Sequence, residues 1–239
     1  MLRKTSVTAT ALFAFVFALL ARAEQPWTFT NNTRYLAVGD SLSAGVGAIP
    51  ATRGFPYLLY EQGVYDSMSN TRFANAAIPG ATSQQVLTYQ VPLATQTPFR
   101  PQVITVTVGG NDLLAILNGA SFQGTLQTFQ VNLNLILTQL CTQLPGTRIF
   151  VGNLYSIQNF PVPTDQVVNA FNQVLAGVVG SVNAIQMCAG RIRVADIHAA
   201  FSGSQEGLLL IDNNGAGQFE VHPSNAGHRA IAQAFTAAQ

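Results

Sequence analysis

Four short segments of the chain combine residue types that can share one reaction. Gly39-Asp40-Ser41-Leu42-Ser43 places a serine just past an apolar run, with a glycine ahead of it to permit a tight turn. A serine exposed there has its hydroxyl available as a nucleophile. Asn75-Ala76-Ala77-Ile78-Pro79-Gly80-Ala81-Thr82 holds a Pro-Gly turn directly before a helix cap, where backbone N–H groups can face an anion. In Val108-Gly109-Gly110-Asn111-Asp112, two glycines allow close backbone approach and Asn111 brings an amide donor. Near the end, Glu220-Val221-His222-Pro223-Ser224-Asn225-Ala226-Gly227-His228 offers a histidine base beside a proline that fixes the backbone. Taken singly, each segment also reads as a turn, a helix cap or a structural histidine. In chain order they supply a nucleophile, two oxyanion donors and a base, the equipment for acyl transfer through serine.

The elements around these segments would bring them together. Tyr35 to Val38 and the β-branched run Val103 to Val108 are strands; Met68 to Phe73, Arg148 to Val151 and Arg191 to Ala195 supply three more. Helices are predicted over Phe55 to Gln62, from Thr82 or Ser83 to Gln90 with Pro92 beyond, over Phe122 to Leu144, over Asp165 to Met187 and over Asn225 to Ala237. The two long ones repeat apolar residues every three or four positions. Strands alternating with such helices imply one α/β domain: a three-layer α/β/α fold around a mainly parallel five-stranded sheet. In sheets of that kind, sites lie beyond the carboxyl ends of the strands, where all four segments fall.

The rest of the sequence narrows the setting. The chain has 239 residues, of which 48% are hydrophobic and only 9% charged; 20 Gln and 16 Asn take up the polar surface. A disordered chain is excluded at that apolar content. With net charge +1 there is no basic stripe for a phosphate backbone, so no nucleic-acid partner is expected. Arg3 and Lys4 precede Ala11 to Ala21, eleven residues without a polar side chain, followed by Ala21-Arg22-Ala23. This is read as a secretory signal peptide spanning 1–23, with the folded domain over 24–239. The run is too short for a stable membrane span, which needs about 20 residues. The mature chain would keep 8 basic and 10 acidic residues and no lysine. Export implies an oxidising compartment, and Cys141 and Cys188 are expected to pair as a disulfide, with two buried free thiols as the other reading. Each cysteine lies near the end of a predicted long helix, and successive right-handed crossovers set such helices side by side on one face. No HExxH, CxxC or other spaced ligand set is present, so no metal is expected. Asn31-Asn32-Thr33 is a glycosylation sequon, meaningful only in a eukaryotic secretory pathway.

Taken together and in order, the four segments resemble the motif blocks of the SGNH hydrolases, the GDSL family of esterases and lipases. The resemblance runs from about Tyr35 to the end of the chain. It implies an SGNH, flavodoxin-like fold with Ser41 as nucleophile, His222 as base, and an oxyanion hole formed by the Gly80 N–H, the Asn111 amide and the Ser41 N–H. It implies no cofactor. The sequence departs from the family at one point. The acid expected three residues before the base is replaced by Phe219, so the histidine-orienting group is expected to be a main-chain carbonyl near Phe219, with Glu220 second and Asp212 third. The implied substrate is a short- or medium-chain acyl ester. A carbohydrate O-acetyl ester or a lysophospholipid is the alternative, and a non-enzymatic binding module on the same fold is a reading of another class. Val46, Ile49, Phe55, Leu113, Leu114, Leu117 and Phe160-Pro161-Val162-Pro163 are candidates to line an acyl pocket. The protein is expected to be secreted and monomeric.

Overall fold

A computed structural model of the chain describes residues 32–157, 165–210 and 221–239. Five strands, β1 (Thr33–Gly39), β2 (Thr71–Asn75), β3 (Val103–Thr107), β4 (Arg148–Gly152) and β5 (Ile192–Ala195), form one sheet in the order β2-β1-β3-β4-β5. Every pairing is parallel, with Tyr35 opposite Phe73 on one side and Val103 on the other. The predicted "mainly parallel" sheet is therefore wholly parallel. The chain reverses its winding between β1 and β3, which opens a crevice at their carboxyl ends.

Short helices α1 (Ser41–Ala44), α2 (Phe55–Glu61), α3 (Ser83–Gln85) and α4 (Val91–Gln96) come from the first half of the chain. The later helices are α5 (Gly110–Leu117), α6 (Phe122–Gln143), α7 (Asp165–Asn183), α8 (Ile197–Ala200) and α9 (Asn225–Ala237). Strand alternation divides the core. Tyr35, Val103 and Phe150 pack against α2, α8 and α9 through Phe55, Ile197 and Phe235. Leu36, Ile104 and Val151 face α6 and α7 through Leu133, Ile136, Phe171 and Leu175. None of the described helices is long and apolar enough to cross a membrane.

Several boundaries differ from the sequence reading, each for a local reason. The second strand starts at Thr71 because Asp66 accepts from the Ser67 N–H (2.7 Å) and Asn70 Nδ2 (2.6 Å), folding Met68–Asn70 into one 3-10 turn. The helix expected to stop at Gln90 continues through a π turn, Val86–Gln90, into α4, with Pro92 in its first turn. The long helix α7 ends at Asn183, short of Met187. The Asn183 side chain takes both backbone groups of Ile192 (2.7 and 3.2 Å) and draws the chain out toward β5. Cys188 consequently sits in a separate 3-10 turn, Gln186–Cys188, while Cys141 is in the last turns of α6; the two form a disulfide with Cα atoms 5.7 Å apart.

Candidate active site

The serine segment is built on the end of β1. Asp40 caps α1: its Oδ1 accepts from the Leu42 N–H (3.0 Å) and from Thr107 Oγ1 (2.8 Å). The capping interaction is one that aspartate makes readily, and it puts Ser41 at the first helical position. Thr107 also bonds Ser43 Oγ at 2.8 Å, so the end of β3 grips both sides of Ser41. Gly39 has φ +135°, and a Cβ there would fall 2.1 Å from the Thr107 carbonyl oxygen, so only glycine permits this approach. Beyond Asn75 the chain still borders β1, with the Ala76 and Ile78 N–H groups donating to the Ala37 (2.9 Å) and Gly39 (3.0 Å) carbonyls. Buried Gln90 adds its amide at the same residue: Oε1 accepts from the Gly39 N–H (2.6 Å) and Nε2 donates to the Gly39 carbonyl (2.8 Å). Burial lifts the Asp40 carboxyl to about 6, against the opposing pull of its hydrogen bonds and of His222 nearby.

The two candidate oxyanion donors are tied to each other. Gly80 has φ +80° in a solvent-exposed turn, and its N–H has no acceptor among the described residues. Thr82 and Gln85 close a capping box behind it. Asn111 Nδ2 donates one hydrogen to the Ala81 carbonyl (3.0 Å), leaving its second hydrogen for a ligand. Next to it, buried Asp112 accepts from the Ser83 N–H (2.8 Å) and Ser83 Oγ (2.6 Å), and Asn132 Nδ2 of α6 donates to the same Oγ (3.0 Å). This network locks the start of α3, with Gly80, to the start of α5, with Asn111. The sequence reading saw Asp112 only as a possible cap; nothing in the sequence connects it to Ser83, 29 positions away.

His222 stands on the loop leading into α9. Its carbonyl accepts from the Leu210 N–H (2.9 Å), and the preceding Val221 carbonyl accepts from Tyr155 OH (2.5 Å). The second histidine of the segment, His228, is buried. Its Nδ1 accepts from the Phe55 N–H (3.3 Å), which leaves Nε2–H to donate to the Val46 carbonyl (3.0 Å). Asn225 bonds both backbone groups of Ile49 (2.9 and 2.7 Å), so α9 is laced to the segment that follows Ser41. Phe219, Glu220 and Asp212 lie outside the described residues, as do 1–31 and Phe160-Pro161-Val162-Pro163.

Ser41, Gly80, Asn111 and His222 all line one cavity of about 240 Å³ over the carboxyl ends of the strands. Its remaining wall is largely apolar: Leu113, Leu114 and Leu117 of α5 face Leu154, Ile157 and Val168. Val46 joins this lining, as the sequence reading expected. Ile49 and Phe55 do not: Ile49 is 78% exposed, and Phe55 is buried against Phe235 and His228. An apolar residue close to the serine in sequence can still be turned outward or taken into the core by α2.

The spore germination lipase LipC of Bacillus licheniformis is 29% identical over 224 residues, covering 86% of this chain and 95% of that protein. Among solved structures, the α/β hydrolase LAE5 from the metagenome of Lake Arreo, Spain, superposes with a TM-score of 0.67 at 18% identity, covering 88% of this chain and 96% of that one. A mutant of Axe2, an acetyl-xylooligosaccharide esterase from Geobacillus, superposes with a TM-score of 0.62 at 20% identity, covering 86% and 94%. At those identities the two structures share the fold with this chain. The sequence pattern of the GDSL-like Lipase/Acylhydrolase family matches residues 37–230, a span that takes in all four residues gathered at the cavity. The chain belongs to the GDSL-like lipase/acylhydrolase family and is a carboxylic ester hydrolase.

Proposed function

We propose that the chain is an exported serine esterase acting on short- to medium-chain acyl esters. Ser41 Oγ attacks the ester carbonyl as His222 takes its proton. The Gly80 N–H, the free hydrogen of the Asn111 amide and the Ser41 N–H receive the oxyanion, and losing one such donor typically costs about 10²–10³ in rate. His222 then protonates the leaving alcohol and activates the water that releases the acid. A main-chain carbonyl near Phe219 orients His222, with Glu220 as the second choice. Residues 1–23 act as the export signal, and the disulfide suits an oxidising compartment.

One observation carries the substrate reading: the four reactive groups open onto a cavity whose other wall is leucine, isoleucine and valine. Each methylene buried there contributes about 0.8 kcal/mol, or roughly a fourfold gain in kcat/KM per carbon until the space is filled. A p-nitrophenyl ester series of increasing chain length tests this, run beside acetylated xylooligosaccharides and a lysophospholipid. A climb from acetyl to a maximum at a short or medium chain is the expected result. An acetyl-only profile with faster turnover of the acetylated sugar would replace this reading with the carbohydrate esterase one.

A further inference from the structure

The residue three positions before His222 is Phe219, and the main chain on either side of His222 is tied to other segments. Of the two peptide planes that flank His222, the following one is held by the Leu210 N–H and the preceding one by a side chain, the Tyr155 hydroxyl. Tyr155 is well placed for this. It follows the end of β4, where Leu154 is fixed through both backbone groups to the Asn172 side chain (2.8 and 2.8 Å). Its ring stacks on buried Phe201 with centroids 4.3 Å apart. A rigid aromatic rooted on the sheet thus delivers a donor to the Val221 carbonyl, 66 residues away in sequence. The Val221–His222 peptide plane sets the direction in which the His222 side chain leaves the backbone.

We propose that Tyr155 is a positioning residue for His222, its hydroxyl locking the Val221 carbonyl so that the imidazole is presented to Ser41. The proposal rests on the reading of His222 as the base. With the hydroxyl gone, the Val221–His222 plane has lost one of its fixing bonds and the ring spends less time in line with the serine.

The test is Tyr155→Phe in the full chain, which keeps the stack on Phe201 and the cavity wall while removing the donor. Turnover is measured on acetyl, butyryl and octanoyl p-nitrophenyl esters and expressed per active site, titrated with a serine-directed phosphonate, so that any misfolded fraction drops out. A net hydrogen bond of ordinary strength corresponds to a fall in kcat of about five- to tenfold. That fall is expected at unchanged KM and equally on all three esters. In a His222→Ala background the same substitution is expected to change the residual rate by less than about twofold, because both changes remove one function. Unchanged kcat in Tyr155→Phe overturns the proposal, as does a loss confined to the octanoyl ester, which would make Tyr155 a pocket wall only. A further large loss in the His222→Ala background overturns it too. If His222→Ala itself retains activity, the reading of His222 as the base fails, a result distinct from these.

Discussion

The two sides of the cleft are held by different means. On the serine side, buried side chains fix the geometry: Asp40 with Thr107, Gln90 with Gly39, and Asp112 with Ser83, whose hydroxyl also accepts from Asn132. On the histidine side, the ties end on main-chain groups. Leu210 donates to the His222 carbonyl and Ser224 to the Leu208 carbonyl (2.8 Å), and these two bonds make the Leu209–Pro223 bridge. Side chains also tie this loop and the start of α9 to the body: Tyr155 bonds the Val221 carbonyl, Ser224 Oγ the Gly207 carbonyl, Asn225 the Ile49 carbonyl and His228 the Val46 carbonyl. A strand end is fixed by the ladder beside it, so one well-placed polar group completes its geometry. The loop ahead of α9 has an isolated bridge in place of a ladder, and side chains tie its other groups. Under the proposed mechanism, the serine side is a preorganised frame and the histidine side carries the base on a loop.

Ser41→Ala and His222→Ala are each expected to lower kcat by about 10⁴-fold or more with the fold intact, and the double variant to be little worse than either. Turnover of a p-nitrophenyl ester and the circular dichroism spectrum report both halves of that statement. More than a few per cent of activity left in Ser41→Ala would remove the serine from the mechanism.

A smaller effect probes the frame itself. Asp112→Ala leaves the Ser83 N–H and hydroxyl without their buried acceptor, a cost of about 1–3 kcal/mol in stability. It also frees the start of α3 from the start of α5, so the Gly80 and Asn111 donors lose their register. The expected result is a fall in kcat of about 10- to 100-fold with KM little changed, the pattern of a loss felt only in the transition state. Equal effects on kcat and on substrate binding would show that Asp112 supports the fold alone.

The smallest effect concerns acid. Buried Asp40 has its carboxyl raised to about 6. Between roughly pH 4 and 6 the folded chain holds this proton while the unfolded chain has lost it. Asp40 therefore adds stability as pH falls through that window, by at most about 3 kcal/mol, and withdraws it as pH rises. Burial lowers the pKa of His228, outweighing its bond to the Val46 carbonyl. Below about pH 6.5 the unfolded chain takes up a proton that the folded chain refuses, so His228 removes stability as pH falls. The two oppose each other across one range, while Asp66 and Asp196, whose hydrogen bonds lower their carboxyl pKa (against partial burial in Asp196), withdraw stability only at lower pH. The melting temperature is expected to change little from pH 7 to pH 4.5. Asp40→Asn should expose the His228 loss as a falling curve, and His228→Gln the Asp40 gain as a rising one. Parallel curves for all three proteins would rule out this pairing.

Residue order in the sequence determined a good deal about this protein. The β-branched runs, the three- and four-residue apolar periods and the glycines at strand ends carried the α/β class and the parallel sheet. They also carried the placing of Ser41, Gly80 and Asn111 at one edge, because each is a few residues from a strand whose direction is fixed by its neighbours. The family pattern over residues 37–230 is legible for the same reason: its motifs are local. Tertiary structure alone decided the remainder. Asp112 meets Ser83 across 29 positions, Gln90 meets Gly39 across 51, and Tyr155 meets Val221 across 66. None of these pairs leaves a periodicity or a spacing to read. Val46 reaches the cavity while Ile49, three residues on, is turned to solvent and tied to Asn225. Local sequence fixes which groups stand at a strand end, since the ladder and the cap act within a few residues. Which groups hold them there depends on contacts between distant segments, and those form only when the two layers of helices close on the sheet.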